Sequence, residues 1–317
     1  MANGAESPCE SEGLEKYMSE ALIGRRSFLK QTAAATAVMG SVQAAAQSSE
    51  DKTDMPTIKK ALQLGNLPGK LSGAEKFKLA KACGWDGIEA YPMDDLEAAA
   101  KLGEAARAAG VRIHSTCFGG WETPFSSPDA AVIDKGLAAM EVALRSTKAM
   151  GGEVVLLVPA VVNAEVSYAD AYARSQEHIR KLLPVAKETG VIIAIENVWN
   201  RFLLSPLEFA RYVDEFESPW LRAYFDVGNV VAYGWPEQWI RTLGERIARV
   251  HLKDFKGTGG HCGDWKPLRE GSVNWPEVRR AFDDIGYTGW MTTEVGGGDE
   301  AFLRDLAHRV DLIIAGQ

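Results

Sequence analysis

From residue 57 onward, short apolar runs alternate with longer stretches in which apolar residues recur every three or four positions. The runs are Ile58–Leu64, Gly87–Ala90, Val111–Ser115, Glu153–Val158, Val191–Glu196, Leu221–Asp226, Ile247–Leu252 and Trp290–Glu294. They are short and mostly apolar, so each reads as a strand. The stretches that follow them are Ala74–Cys83, Asp95–Ala109, Asp129–Met150, Tyr168–Thr189, Pro206–Phe216, Pro236–Leu243, Trp275–Ile285 and Glu300–Ile314. Their spacing predicts helices; in the first, the apolar residues are Phe77, Leu79, Ala80 and Cys83. Gly110, Gly151, Gly190 and Gly286 follow helices, where a C-cap needs a left-handed residue. The strands do not alternate between apolar and polar, so both their faces are covered, as in a parallel sheet. Eight strand–helix units predict an α/β fold, a (β/α)8 TIM barrel, as a single domain over residues 57–317. A doubly wound open sheet is the alternative. No GxGxxG follows the first strand, which counts against its dinucleotide-binding version. The longest expected loop is Lys253–Asn274.

The first fifty residues follow another pattern. Gly24-Arg25-Arg26-Ser27-Phe28-Leu29-Lys30 precedes a mild apolar run, Ala33 to Gly40, and then Ala44-Ala45-Ala46. Paired arginines, a weakly apolar stretch and small residues at the end predict a twin-arginine signal peptide over residues 1–46. The run is too short to span a bilayer, which takes about 20 residues. Residues 47–56 read as a linker. The expected location is the periplasm, or another compartment reached by the twin-arginine export machinery. That route carries folded proteins, so a metal could be loaded beforehand.

Composition narrows the partners. The formal net charge of −8, from 35 basic and 43 acidic residues, disfavours nucleic acid and anionic membranes as general partners. The four Cys are widely spaced with no CxxC, so they suggest neither a zinc knuckle nor a disulfide framework. After removal of a leader containing Cys9, three would remain, an odd number for an oxidising compartment.

In such barrels the chemistry sits where strands end. The fifth strand ends in Glu196, the sixth in Asp226, the seventh carries His251, and the eighth ends in Glu294. Their separations are 30, 25 and 43 residues, each close to one strand–helix unit with the last lengthened by the glycine-rich loop. Three carboxylates meeting at one rim would repel one another unless a cation joined them. With one imidazole they suit a single divalent metal ion: Mn²⁺ first, with Mg²⁺, Co²⁺ or Zn²⁺ as alternatives. The second ring nitrogen of His251 would then need an acceptor of its own.

Residues 57–316 resemble the xylose-isomerase-like barrel superfamily, and within it the ketose 3-epimerases. The carriers are Ile195-Glu196-Asn197, Phe225-Asp226-Val227-Gly228-Asn229, His251-Leu252-Lys253-Asp254, Arg269-Glu270-Gly271-Ser272-Val273-Asn274-Trp275, and Gly286-Tyr287-Thr288-Gly289-Trp290 running into Glu294. The resemblance implies that Glu196, Asp226, His251 and Glu294 bind one metal. It also implies that Glu196 and Glu294 form an acid–base pair that moves a carbon-bound proton through an enediolate. Other strand-end and loop residues are candidates for substrate contact. His114 and Glu89 are expected to end strands three and two. Lys253 is expected to polarise an oxygen or neutralise Asp254. Trp121, Trp199 and Trp265 offer aromatic faces to sugars. Many relatives carry His where Asn229 stands, a departure that bears on which hydroxyls are selected. In the DNA-repair members that His helps hold a zinc cluster, so its absence counts against nuclease activity.

The reading that follows is a metal-dependent sugar isomerase or epimerase. Export makes its substrate an unphosphorylated keto-sugar. Two alternatives stand beside it: a 3-keto-glycoside lyase using the same proton abstraction for β-elimination, and a non-catalytic sugar-binding barrel. A homo-oligomer remains open.

Overall fold

A computed structural model describes residues 57–257 and 262–317. The expected leader and the linker lie outside the described residues, as does the middle of the long loop after the seventh strand, residues 258–261. Eight parallel strands close a barrel. They are β1 (Lys59–Gln63), β2 (Gly87–Ala90), β3 (Arg112–Gly119), β4 (Val154–Leu157), β5 (Ile192–Glu196), β6 (Leu221–Asp226), β7 (Ile247–Leu252) and, last in the chain, β10 (Trp290–Thr293). Each pairs with its neighbours in sequence order, and β1 closes the ring by pairing with both β2 and β10. The open doubly wound sheet is therefore excluded.

The helices between them are α1 (Gly73–Ala82), α2 (Leu96–Ala108), α3 (Ala130–Met150), α4 (Tyr168–Thr189), α5 (Pro206–Asp214), the short α6 (Val227–Val230), α7 (Pro236–Leu243), α8 (Trp275–Asp284) and α9 (Glu300–Ile314). Their starts are set by side chains. Ser72 and Glu75 form a capping box on α1, while Asp95, Asp129, Ser167 and Asn274 accept first-turn amides of α2, α3, α4 and α8. The ends of α3 and α4 fall on Gly151 and Gly190, at φ +84° and +69°, where a side chain would be strained.

Two layers of side chains result. Outward strand residues such as Leu62, Ile88, Val155, Ile193, Phe225 and Val250 pack with helix residues such as Phe77, Met140, Ile179 and Val310 in one continuous core. Complete burial of one such side chain stabilises the fold by roughly 1.5–3 kcal/mol. Inside the barrel, Val154, Leu156, Ala194, Tyr224 and Ala248 form a second, smaller cluster.

Two departures from the expected elements affect the site. First, β3 runs to Gly119 rather than stopping at Ser115. Its pairing with β2 also slips by one residue, from Ile88↔Ile113 to Glu89↔Ser115, so His114 is an extra residue at a bulge. Second, the long loop after β7 contains an antiparallel hairpin, β8 (Asp254–Gly257) and β9 (Gly263–Lys266). Among the described residues, no helix is long and apolar enough to cross a membrane.

Candidate metal centre and active site

Successive strand ends on one side of the barrel supply the site. Glu196 is the last residue of β5 and Asp226 the last of β6; His251 lies one residue before the end of β7. Glu294 follows β10 directly, and its amide donates to the Leu252 carbonyl at 3.2 Å. One ligand atom from each of the four comes within 4.8 Å of every other.

The ring of His251 is oriented from both sides. Nδ1 faces the cluster, 2.8 Å from Glu196 Oε1, 2.9 Å from Glu294 Oε2 and 4.0 Å from Asp226 Oδ2. Nε2 lies 2.8 Å from Glu89 Oε2. Glu89, fully buried, also accepts from Gln63 Nε2 (3.1 Å), Ser115 Oγ (3.0 Å) and Tyr224 OH (2.7 Å). It is thus the acceptor that the second ring nitrogen requires, and its oxygens are already engaged. The strand-end position suggests either a hydroxyl contact or a cation partner for Glu89, and the structure pairs it with the His251 ring.

Asp226 is held by its neighbours. Its amide donates to Asn197 Oδ1 at 2.8 Å, and its carbonyl accepts from Asn197 Nδ2 at 2.9 Å. Oδ1 caps α6 by accepting the Asn229 amide at 2.6 Å. Asn229 Nδ2 donates to the Asn197 carbonyl at 2.9 Å. Its side chain therefore braces the turn between Asn197 and Asp226. Gly228 belongs to the same turn because a Cβ there would come within 2.8 Å of the Lys253 backbone.

Asp226 Oδ2 and Glu294 Oε2 are buried and make no hydrogen bond of good geometry. Lys253 Nζ stands near them as a charge, 3.3 Å and 2.7 Å away. Four carboxylates (Glu89, Glu196, Asp226 and Glu294) face one lysine and one imidazole. Two negative charges stay uncompensated even with His251 protonated. Buried carboxylate oxygens without a well-formed hydrogen bond, an imidazole nitrogen directed at them and that charge balance fit one divalent cation.

The electrostatics separate the two glutamates. Burial and the nearby Glu294 carboxylate push Glu196 up to about 7. Burial also raises Glu294, but His251 and Lys253 outweigh it and hold that carboxyl at about 2. Burial opposes charge on His251, yet Tyr224 and the carboxylates of Glu89, Glu294 and Glu196 keep it protonated well above the usual histidine range. Asp226 is raised, mainly by burial.

The remaining candidates divide. Lys253 joins the cluster through Glu294 and Asp226, not through Asp254 as expected. Asp254 instead accepts the amides of Arg269, Gly271 and Val273 and the indole N–H of Trp275, tying the loop down. Trp199 stacks on Trp265, with ring centroids 5.0 Å apart, and donates to the Asn229 carbonyl at 2.9 Å. Lys253 Nζ lies 5.3 Å over the Trp265 ring. Trp121 stands half exposed in the loop after β3, with no described contact to the cluster.

His114 is not at the strand end. It is fully buried inside the barrel, stacked on Trp290 with centroids 4.6 Å apart. Arg249 Nε donates to its Nδ1 at 3.2 Å, so the proton sits on Nε2, 3.1 Å from Thr292 Oγ1. Burial and Arg249 keep its pKa well below the ordinary range. The bulge and the extension of β3 explain the misplacement. Tyr224 and Arg249 carried no sequence signal, because an inward polar residue in a strand looks like any other polar residue.

A closed parallel barrel with three carboxylates and an imidazole converging at its strand ends defines an α/β barrel with a candidate metal site. The chain belongs to the xylose isomerase-like TIM barrel family, whose model matches residues 77–311. A relative in Escherichia coli (strain K12), SgbU, carries a provisional name as an L-ribulose-5-phosphate 3-epimerase. It is 28% identical over 244 residues, 72% of this chain and 85% of that one. A solved L-ribulose 3-epimerase superposes with a TM-score of 0.70 at 17% identity, covering 82% of this chain and 95% of the other. The Escherichia coli 3-keto-D-glucoside 4-epimerase YcjR superposes with a TM-score of 0.66 at 19% identity, covering 81% and 100%. These two structures share the fold.

Proposed function

We propose that this protein is a metal-dependent sugar epimerase or isomerase acting on an unphosphorylated keto-sugar. The observation that carries the reading is the convergence of Glu196, Asp226, His251 and Glu294 at one set of strand ends, with one ligand atom from each within 4.8 Å of the others. Two glutamates among those four groups suit proton removal and proton return at one site. The sugar-epimerase names of the relatives support the same class. Glu196, Asp226, His251 Nδ1 and Glu294 would hold the metal, with Mn²⁺ first among the candidates for so oxygen-rich a set. When bound, a divalent cation would supply Lewis acidity to the substrate carbonyl. One glutamate removes the proton alpha to that carbonyl, and the other returns a proton to the enediolate from its side. Glu89 fixes the His251 ring throughout. Export by the twin-arginine route is part of this proposal and is the reason for an unphosphorylated substrate. Its support is the order of parts from Arg25 to Ala46.

The test is solvent deuterium incorporation. Purified protein supplied with Mn²⁺ should exchange the proton alpha to the carbonyl of a keto-sugar, followed by NMR. Glu196→Gln and Glu294→Gln should each slow exchange by about 10²–10⁴-fold. Exchange that persists in both variants would overturn the assignment.

A further inference from the structure

A cleft of about 580 Å³ opens beside Glu294, between the β8–β9 hairpin and α9. Lys253 and Glu294 form its inner end, so it is continuous with the site. Trp265, Leu268, Phe302 and Leu306 line it, and Trp265 and Phe302 are among the large apolar side chains left exposed, at 46% and 38%. The volume is within the range that houses a drug-sized ligand.

The charges in this cleft are already matched. Arg309 pairs with Asp305 and Glu270, each at 2.6 Å, and donates to the Leu268 carbonyl. Lys266 lies 3.3 Å from Asp264, and Lys253 is engaged by Glu294 and Asp226. The start of α9 is capped by the Asp299 carboxylate, which accepts the Phe302 amide at 3.0 Å. Among the described residues, a phosphate placed here would find no uncommitted cation and several carboxylates. An uncharged ring with an apolar face would find aromatic walls.

We infer that the substrate is a glycoside: a keto-sugar whose reacting carbon lies by Glu196 and Glu294 and whose uncharged ring substituent occupies this cleft. This rests on the epimerase reading and narrows it, because neither a bare ketose nor a sugar phosphate would use these walls. A second sugar and an aromatic group both present such an apolar face, and the compounds below distinguish them.

The test compares four compounds with the Mn²⁺-supplied protein: a free 3-keto-sugar, its phosphate ester, its phenyl glycoside and its glucosyl glycoside. Deuterium exchange is read by NMR and binding by calorimetry. At least one glycoside should exceed the free sugar by about tenfold in exchange kcat/KM and in affinity. Which glycoside wins identifies the ring. Phe302→Ala should bring that ratio close to one, and Phe302→Trp should keep it. A free sugar or phosphate ester matching the glycosides would overturn the inference while leaving the epimerase reading intact. Absence of exchange with every compound would count against the epimerase reading. The binding ratio would then still decide whether the cleft selects a ring.

Discussion

Glu89 shows how far one side chain's role can lie from its position in the chain. It sits on β2, yet it orients an imidazole 162 residues away and takes three further hydrogen bonds while doing so. A partner that fixes a ligand's ring is worth about 10–100-fold in metal affinity. Glu89→Gln should therefore weaken Mn²⁺ binding by about that factor in a calorimetric titration, with the fold preserved by circular dichroism. Proton release offers a second check. Metal must displace the proton from His251 Nδ1 and any proton on Glu196. Below pH 7 Glu196 is protonated, so about two protons should leave per ion, and affinity should fall steeply as pH drops. Above pH 7 Glu196 is ionised, and release should approach one. Titrations in buffers of different ionisation enthalpy measure this; a constant proton count from pH 6 to 8 would contradict it. The four cluster residues were legible because each falls at a strand end, a position that the chain pattern reveals. The roles of Glu89 and His114 were not, because an acceptor three strands around the ring and a one-residue bulge leave no local pattern.

At the scale of elements, all eight barrel strands and the eight long helices were readable, since burial on both faces and helical periodicity are strong signals. The β8–β9 hairpin was hidden. Only Phe255 and Trp265 are large and apolar in its strands, and it replaced what looked like an unstructured glycine-rich loop. One carboxylate at its base ties it to the following loop. Asp254 gathers three loop amides and an indole N–H, bringing residues 269–275 against the base of the hairpin. Asp254→Ala leaves those donors without their acceptor and should cost about 1–3 kcal/mol. In hydrogen exchange, the Gly271 and Val273 amides should lose protection first. Amides in β5 and β6 should keep theirs, because Asp254 holds none of them.

The whole chain divides between a barrel and an N-terminal stretch with a different composition. The leader reading makes a direct prediction. Residues 1–46 fused to a reporter that is active only after folded export should deliver it, and changing Arg25 and Arg26 to Lys should block delivery. Equal delivery by both fusions would refute the leader. Inside the barrel, a chain of polar contacts runs from Glu153 through Arg249, His114, Thr292, Tyr224 and Glu89 to His251. From Arg249 inward each member is buried and satisfies the next, so replacing one strands its neighbour in a place without solvent. This column therefore changes as a block or not at all. Loops around the mouth can diversify freely on top of it, but grafting these ligands onto another barrel would require transplanting the column beneath them as well.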